Sequence, residues 1–468
     1  MRDARDDLDN QEDNNATLKQ GLSQRQLSMI AIGGVIGAGL FVGSGVVISE
    51  TGPAAFMTYA ICGLLIVLVM RMLGEMAAAN PSTGSFADYA ATALGGWAGF
   101  SVGWLYWYFW VIVVGFEAVA GGKVLNYWFP APLWLSALGL MVLMTATNLF
   151  SVSSFGEFEF WFAGIKVATI VIFLGVGTAF VFGLLPGARL DFSNLTAHGG
   201  FFPKGVAAVF AAIVVVIFSM VGAEVVTIAA AESRDPARAI TRATRSVVAR
   251  IVIFFVGSVL LLVIIMPWNS VELGASPYVA ALRHMGLPWA DQIMNAVVLT
   301  AVLSCLNSGL YTASRMLFVL AGRGEAPARL VRLSGRGVPA TAIVCSSVVG
   351  FLCVLMAWLA PNTVFLFLLN SSGAVILFVY LLIAVSQIVL RRRASAESLR
   401  VKMWLFPVLS VLTAVGIVAV LVQMGFDRST RSQLWLSLLS WVVVLAVYFL
   451  APVRGRNALV NKRIEESD

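Results

Sequence analysis

The sequence is poor in charge: of its 468 residues only 12% are charged, while 59% are hydrophobic. Soluble chains run at roughly 45–50% apolar and about 25% charged, so an ordinary water-soluble domain could not cover this much apolar surface. Histidine is almost missing, with two residues, and cysteine is sparse, with four. Cys62, Cys305, Cys345 and Cys353 all fall inside apolar runs. They make neither a disulfide framework nor a metal-ligand spacing, which leaves packing as their expected role. His198 and His284 lie in connections, and no metal or cofactor is expected. Walker-type phosphate loops, His-Glu-x-x-His pairs and Gly-x-Ser-x-Gly elbows are missing too, which speaks against a membrane enzyme and against a pump carrying its own ATPase. Nor does any stretch alternate polar and apolar residues as a lipid-facing barrel strand must.

What the chain has is long apolar runs. Ile251 to Pro267 and Leu434 to Pro452 each pass without a charge. A spanning helix needs about 20 mostly apolar residues, and about twelve runs approach that length. They lie at Leu27–Ser49, Ala54–Ala79, Trp97–Trp128, Leu133–Phe150, Phe160–Leu184, Gly205–Ala231, Val247–Trp268, Ala290–Leu320, Ala340–Ala360, Val364–Leu390, Met403–Met424 and Leu434–Pro452. The expected fold is an all-α membrane protein, with a transmembrane domain over 25–452 and polar tails at 1–24 and 453–468. The first tail carries Asp3, Asp6, Asp7, Asp9, Glu12 and Asp13 with no apolar core, which marks a disordered segment and not a signal peptide.

Basic residues crowd alternate connections. Arg234, Arg238, Arg242, Arg245 and Arg250 follow the sixth span, Arg323, Arg329, Arg332 and Arg336 the eighth, and Arg391, Arg392, Arg393 and Arg400 the tenth, while Arg454, Arg456, Lys462 and Arg463 follow the last. The bias of Lys and Arg toward the cytoplasmic side predicts that both termini are cytoplasmic. This asymmetry accounts for the net charge of +7 without nucleic acid as a partner.

Two spans carry features that a plain lipid-facing helix avoids. The first has four glycines in seven positions, Gly33, Gly34, Gly37 and Gly39. Each interior glycine costs a helix about 1 kcal/mol relative to Ala. Local unwinding is therefore cheap, though it is tolerable at membrane depth only where the freed backbone groups face protein, water or ligand. Small-residue helix packing, through Gly33 with Gly37 and Gly39 with Gly43, explains the glycines alone equally well. The sixth span is interrupted by Phe218-Ser219-Met220-Val221-Gly222-Ala223-Glu224, and an ionisable group inside a span usually faces the bundle interior or a water-filled cavity. Interrupted helices opening each half of a chain are the pattern of transporters built from inverted repeats. The halves here would be spans one to five and six to ten, with the last two outside the repeat. A half-helix starting near Gly37 would aim free N–H groups at a carboxylate, and unwound carbonyls near Val35 and Val221 would accept from an ammonium. An amino acid matches such a site, and a sugar does not.

These residues resemble a known family, the amino acid permeases of the amino acid–polyamine–organocation superfamily, and among them the bacterial 4-aminobutyrate (GABA) permeases. The similarity lies in GGVIGAGLFVGSG at Gly33, ETGPAA at Glu50, RMLGEMA at Arg71, TGSFADYA at Thr83, GWLYWYFW at Gly103, FGEFEFWFAGIKV at Phe155, VGAEVVTIAAAES at Val221, SCLNSGLYTASRML at Ser304 and NSSGAV at Asn370. TIAAAES at Thr227 and SCLNS at Ser304 favour GABA permeases over their aromatic or basic amino acid counterparts. Proline, alanine, glycine and aromatic permeases share the glycine motif and the FGE segment, and the last two spans show no distinctive match. The resemblance implies a five-plus-five inverted repeat, a place in the bacterial inner membrane, alternating access and proton coupling. It implies a substrate cradle at Val35, Gly37, Ala38 and Gly39 in the first span and at Phe218, Ser219, Val221 and Glu224 in the sixth. Ala38 replaces the Ser or Thr of relatives, leaving backbone amides to hold the carboxylate.

The resemblance also points to Lys166, whose ammonium would stand where other members hold sodium and would serve proton coupling. A buried lysine readily changes protonation, whereas a lysine near the start of a span can instead snorkel to the headgroups. Glu117 lies too deep in the third span to snorkel and is a candidate for a cavity-facing role. Either Glu117 or Glu224 could oppose a substrate amine. Arg71 and Glu75, four apart, suit an ion pair. Glu157 and Glu159 are expected to cap or flank the start of the fifth span. Arg315 suits either a cytoplasmic gate or the headgroups. Cys305, Asn307 and Ser308 fall in a span that the family places beside the cavity, and Ser371 and Ser372 suit either an outward gate or helix–helix bonding. A nutrient sensor that binds without transport is the remaining alternative, though the tails are short for an output domain.

Overall fold

The computed structural model describes residues 29, 36–80, 85–150, 152–185, 190–224, 238, 241, 247–270, 276–287, 289–335, 337–394, 399, 401–428 and 430–450. Both expected tails, and Val35 with Gly33 and Gly34, lie outside the described residues. Helices occur in each of the twelve expected stretches, and no strand is found among the described residues. Ten helical stretches are long and apolar enough to cross a membrane, again among the described residues. One of them, Ala38–Ala79, holds two of the expected spans, and the expected sixth span is a shorter apolar helix, Val206–Met220. The protein is an all-α, multi-span membrane protein.

In chain order, α1 (Ala38–Phe41) and α2 (Gly43–Thr51) lead through a tight Gly52–Ala54 turn into α3 (Ala55–Ala79). Pro53 sits in the first turn, where its missing N–H costs nothing. Next come α4 (Ser85–Leu94), α5 (Gly96–Leu125), α6 (Leu133–Phe150) and α7 (Val152–Val181). The short pair α8 (Val206–Ala211) and α9 (Ile213–Met220) follows, then α10 (Val247–Ile265) and α11 (Pro277–His284). The last five are α12 (Ala290–Gly322), α13 (Ala340–Leu359), α14 (Val364–Arg393), α15 (Val408–Phe426) and α16 (Arg431–Leu450).

Helix α5 is apolar all round, which suits a helix enclosed by others. It packs against α4, α6, α12, α13, α14 and α16, and 83% of its most apolar window is buried, against 22% for α16. Helix α9 lies against α1, α3 and α14, and α7 against α10 and α12. The outer faces are apolar as well. Trp161 and Ile172 on α7, Leu352 and Trp358 on α13, Leu412 and Val415 on α15 and Val442 on α16 are all exposed. A bilayer solvates such faces, while backbone groups at that depth must be satisfied inside the helices.

One expected ion pair takes another form. Glu75 is buried and accepts from the Gln387 amide at 2.7 Å and the Met403 backbone N–H at 2.6 Å. Arg71 donates to the Lys402 carbonyl at 2.8 Å and lies over the Trp404 ring. Helical spacing places the two side chains on one face, but the segment after α14 offers both of them partners closer to ideal.

Candidate functional site between two broken helices

Among the described residues, a helix begins at the first expected break and another ends at the second. Gly37 is extended (φ −138°, ψ −161°) and caps α1. Helix α9 stops at Val221 (φ −67°, ψ 152°), and Gly222 follows at φ +110°, a left-handed backbone that favours glycine. Gly37 and Gly39 serve close approach more than conformational freedom. A Cβ on Gly37 would lie 2.5 Å from Cys305 Sγ and 3.0 Å from Glu117 Oε1, and one on Gly39 would lie 2.7 Å from Ser219 Cα. Backbone and side chains from α5, α9 and α12 thus crowd the break at a distance only glycine allows.

Between the breaks lies a cavity of about 30 Å³ lined by Gly37, Gly39, Glu117, Phe218, Ser219 and Val221, with Phe109, Trp110, Val113 and Cys305 completing the wall. Six of the residues proposed from the sequence for substrate binding therefore line one cavity, with Cys305 beside them. Ala38 is buried beside them, and its backbone N–H faces the Glu117 carboxylate. Glu117 Oε2 is buried with no hydrogen-bond partner. Cys305, expected to serve packing, lines the cavity and sets its Sγ 3.6 Å from the Ile36 carbonyl oxygen. One wall continues outward through aromatic rings: Phe218 meets Phe116 edge-on at 4.7 Å, Phe116 meets Phe365 at 4.8 Å, and the Lys123 ammonium lies 4.0 Å from the centre of the Phe365 ring.

Glu224 is not on the cavity wall. It accepts from the Tyr106 and Tyr380 hydroxyls, each at 3.2 Å, and from the Gly222 N–H at 3.1 Å. The carboxylate thereby ties the turn after α9 to α5 and α14.

Lys166 is fully buried and does not snorkel. Its ammonium donates to Ser304 Oγ at 2.8 Å and lies 3.8 Å from Glu159, while Ser304 donates to Glu159 at 2.6 Å. Glu159 is therefore no flanking residue but the buried counter-charge of Lys166. Sequence reasoning could have found it: seven residues separate the two, close to two helical turns, so they share a face. Ser304, Tyr106 and Tyr380 were not anticipated as partners of these charges. The first two lie in motifs noted for resemblance alone, and polar tips become legible only once their partners on other helices are known. Elsewhere on α12, Asn307 accepts from Asn148 at 2.8 Å, Ser308 Oγ is buried without a partner, and Arg315 lies 3.4 Å over the Tyr311 ring. On α14, Ser372 bonds to carbonyls of its own helix, and Ser371 Oγ is buried and unpartnered.

Apolar spans whose helix ends meet around a small cavity suit a membrane transporter that moves a small solute. The chain matches the amino acid permease family over residues 26–462 and belongs to it; it is a transporter of amino acids, not an enzyme. It is 55% identical over 438 residues to the gamma-aminobutyric acid permease of Bacillus subtilis, covering 92% of this chain and 93% of that one. The gamma-aminobutyric acid permease of Escherichia coli is 47% identical over 441 residues, 93% and 94% of the two chains. An aromatic amino acid transport protein of Corynebacterium glutamicum is 40% identical over 452 residues, covering 94% and 97%.

Proposed function

We propose that this chain imports GABA or a similar small amino acid across the bacterial inner membrane by proton symport, with both termini cytoplasmic. The observation that carries this reading is the meeting of the two helix ends and Glu117 on one cavity. The N–H groups at the start of α1 are the natural holders of the substrate carboxylate. Glu117, which faces the Ala38 N–H, gives up that donor on substrate binding and then opposes the substrate ammonium. The Val221 carbonyl, freed where α9 ends, adds an acceptor. A cavity of about 30 Å³ has room for a water or two and not for an amino acid, so the walls must part for entry. That need supports alternating access, with the five-plus-five inverted repeat as the moving frame. Lys166, with Glu159 and Ser304, is the proton-coupling group; its ammonium fills a position that a sodium-coupled member would give to the ion.

The relatives named for GABA favour that substrate, and the Phe109, Trp110 and Phe218 rings favour a slim molecule over an aromatic one. The test is uptake of labelled GABA into proteoliposomes under an imposed pH gradient, competed with proline, alanine, glycine and phenylalanine. Accumulation blocked by GABA analogues alone supports the specific reading. Uptake of another amino acid without GABA flux moves the substrate and keeps the mechanism, and binding without any flux indicates a sensor. Lys166→Met is expected to abolish uphill accumulation; full accumulation by that variant removes Lys166 from the coupling.

A further inference from the structure

A second and larger cavity, about 370 Å³, opens where the ends of α3, α4 and α14 meet. Its wall includes Met76, Ala79, Tyr89, Leu390, Arg391 and Arg393. Arg393 donates to the Thr92 and Ala93 carbonyls, closing the last turn of α4. Arg391 has no such employment. Its Nη1 is buried without a hydrogen-bond partner, and its guanidinium lies 5.7 Å from the centre of the Phe406 ring. A buried, unpaired guanidinium N–H is costly and calls for an acceptor. Among the described residues the carboxylate on this wall is Glu75, which accepts from the Gln387 amide and the Met403 N–H and leaves Arg391 without a carboxylate partner.

We propose that this cavity binds the phosphate of an anionic phospholipid headgroup, held by Arg391 with Arg393 at its side. Guanidinium and phosphate form short, charge-assisted and often bidentate hydrogen bonds. Three observations favour a lipid over a free anion. Met76, Ala79 and Leu390 give the cavity an apolar wall, which suits a glycerol backbone and the start of an acyl chain but leaves inorganic phosphate without partners. The volume far exceeds that of one phosphate group. The site also lies where α14 passes from apolar residues into Arg391, Arg392 and Arg393, at the level where basic pockets between spans meet headgroups.

Native mass spectrometry of the full-length protein, titrated with phosphatidylglycerol or phosphatidylcholine, tests the site. Phosphatidylglycerol is expected to be retained about tenfold more strongly, and Arg391→Gln to lose that preference, as removal of one charged hydrogen bond predicts. Arg329→Gln, away from the cavity, is expected to keep it. Should Arg391→Gln fail to fold, Ala79→Trp fills the cavity from its apolar side and is expected to lower phosphatidylglycerol retention. Equal retention of the two lipids by the unaltered protein, or an unchanged preference in either cavity variant, overturns the proposal. Displacement of phosphatidylglycerol by equimolar inorganic phosphate also overturns it, since the site would then be one for a free anion.

Discussion

Glu117 and Glu224 are the same residue type, buried to the same degree in one membrane domain, yet their surroundings differ. Glu224 accepts from two tyrosine hydroxyls and a backbone N–H, which bind three segments together. Glu117 faces the cavity at the break before α1 and keeps one oxygen without a partner. A saturated carboxylate inside a bundle is a structural tie, because any movement breaks several bonds at once. An unsaturated one is held at a standing cost, which is tolerated where a ligand completes it. Equal burial thus leaves one carboxylate saturated with donors and the other with unfilled hydrogen-bonding capacity beside a cavity.

The pair of Gln substitutions breaks the comparison most directly. Glu117→Gln is expected to fold normally and to lose uptake by about 100-fold, the upper range for removing a charged partner. Glu224→Gln is expected to lower Tm sharply, because the amide cannot accept all three donors. Equal transport loss with equal stability in both variants would erase the distinction. Gly39→Ala comes next. Its Cβ would meet Ser219 Cα, which is backbone and cannot swing away, so overpacking of about 1–3 kcal/mol is expected to push the two breaks apart and impair uptake. Gly43→Ala, whose nearest neighbour would be 3.8 Å away, is expected to transport normally. Tyr380→Phe follows, removing one of the donors to Glu224, with a stability loss of about 1–3 kcal/mol and less than tenfold loss of uptake. A Tm unchanged in that variant would mean that the hydroxyl does not brace Glu224.

The apolar runs and the two breaks were legible in the sequence because bilayer thickness and helix geometry act on contiguous residues. The expected Leu133–Phe150 span matches α6 end for end, and helix α9 stops next to the expected break. Gly37, Gly39, Phe218, Ser219, Val221 and Glu117 line one cavity. The sequence was silent where the partner is remote. Ser304 is 138 residues from Lys166 and Tyr380 is 156 from Glu224, and no local period links such pairs. The Arg71–Glu75 spacing was legible but misleading, since better acceptors and donors arrive from the segment after α14.

Glu325 provides the finest test, because it shares the unpaired oxygen of Glu117 but stands outside the spans and away from the cavity. Burial pushes its carboxyl up from an ordinary value near 4.5 to about 7, with Asp88 adding to the rise and Arg323 opposing it. Below the ordinary value both the folded and unfolded chains keep the proton, so burial carries no penalty. As pH rises, the unfolded chain ionises first, and stability declines until the folded carboxyl ionises near 7. Glu325→Gln, neutral throughout, is therefore expected to match the parent Tm in acid and to exceed it at about pH 8, with uptake unchanged. Loss of uptake in this variant would mean that an unpaired buried carboxylate oxygen marks transport wherever it occurs. An unchanged rate with the expected pH profile would confine that role to the oxygen facing the cavity.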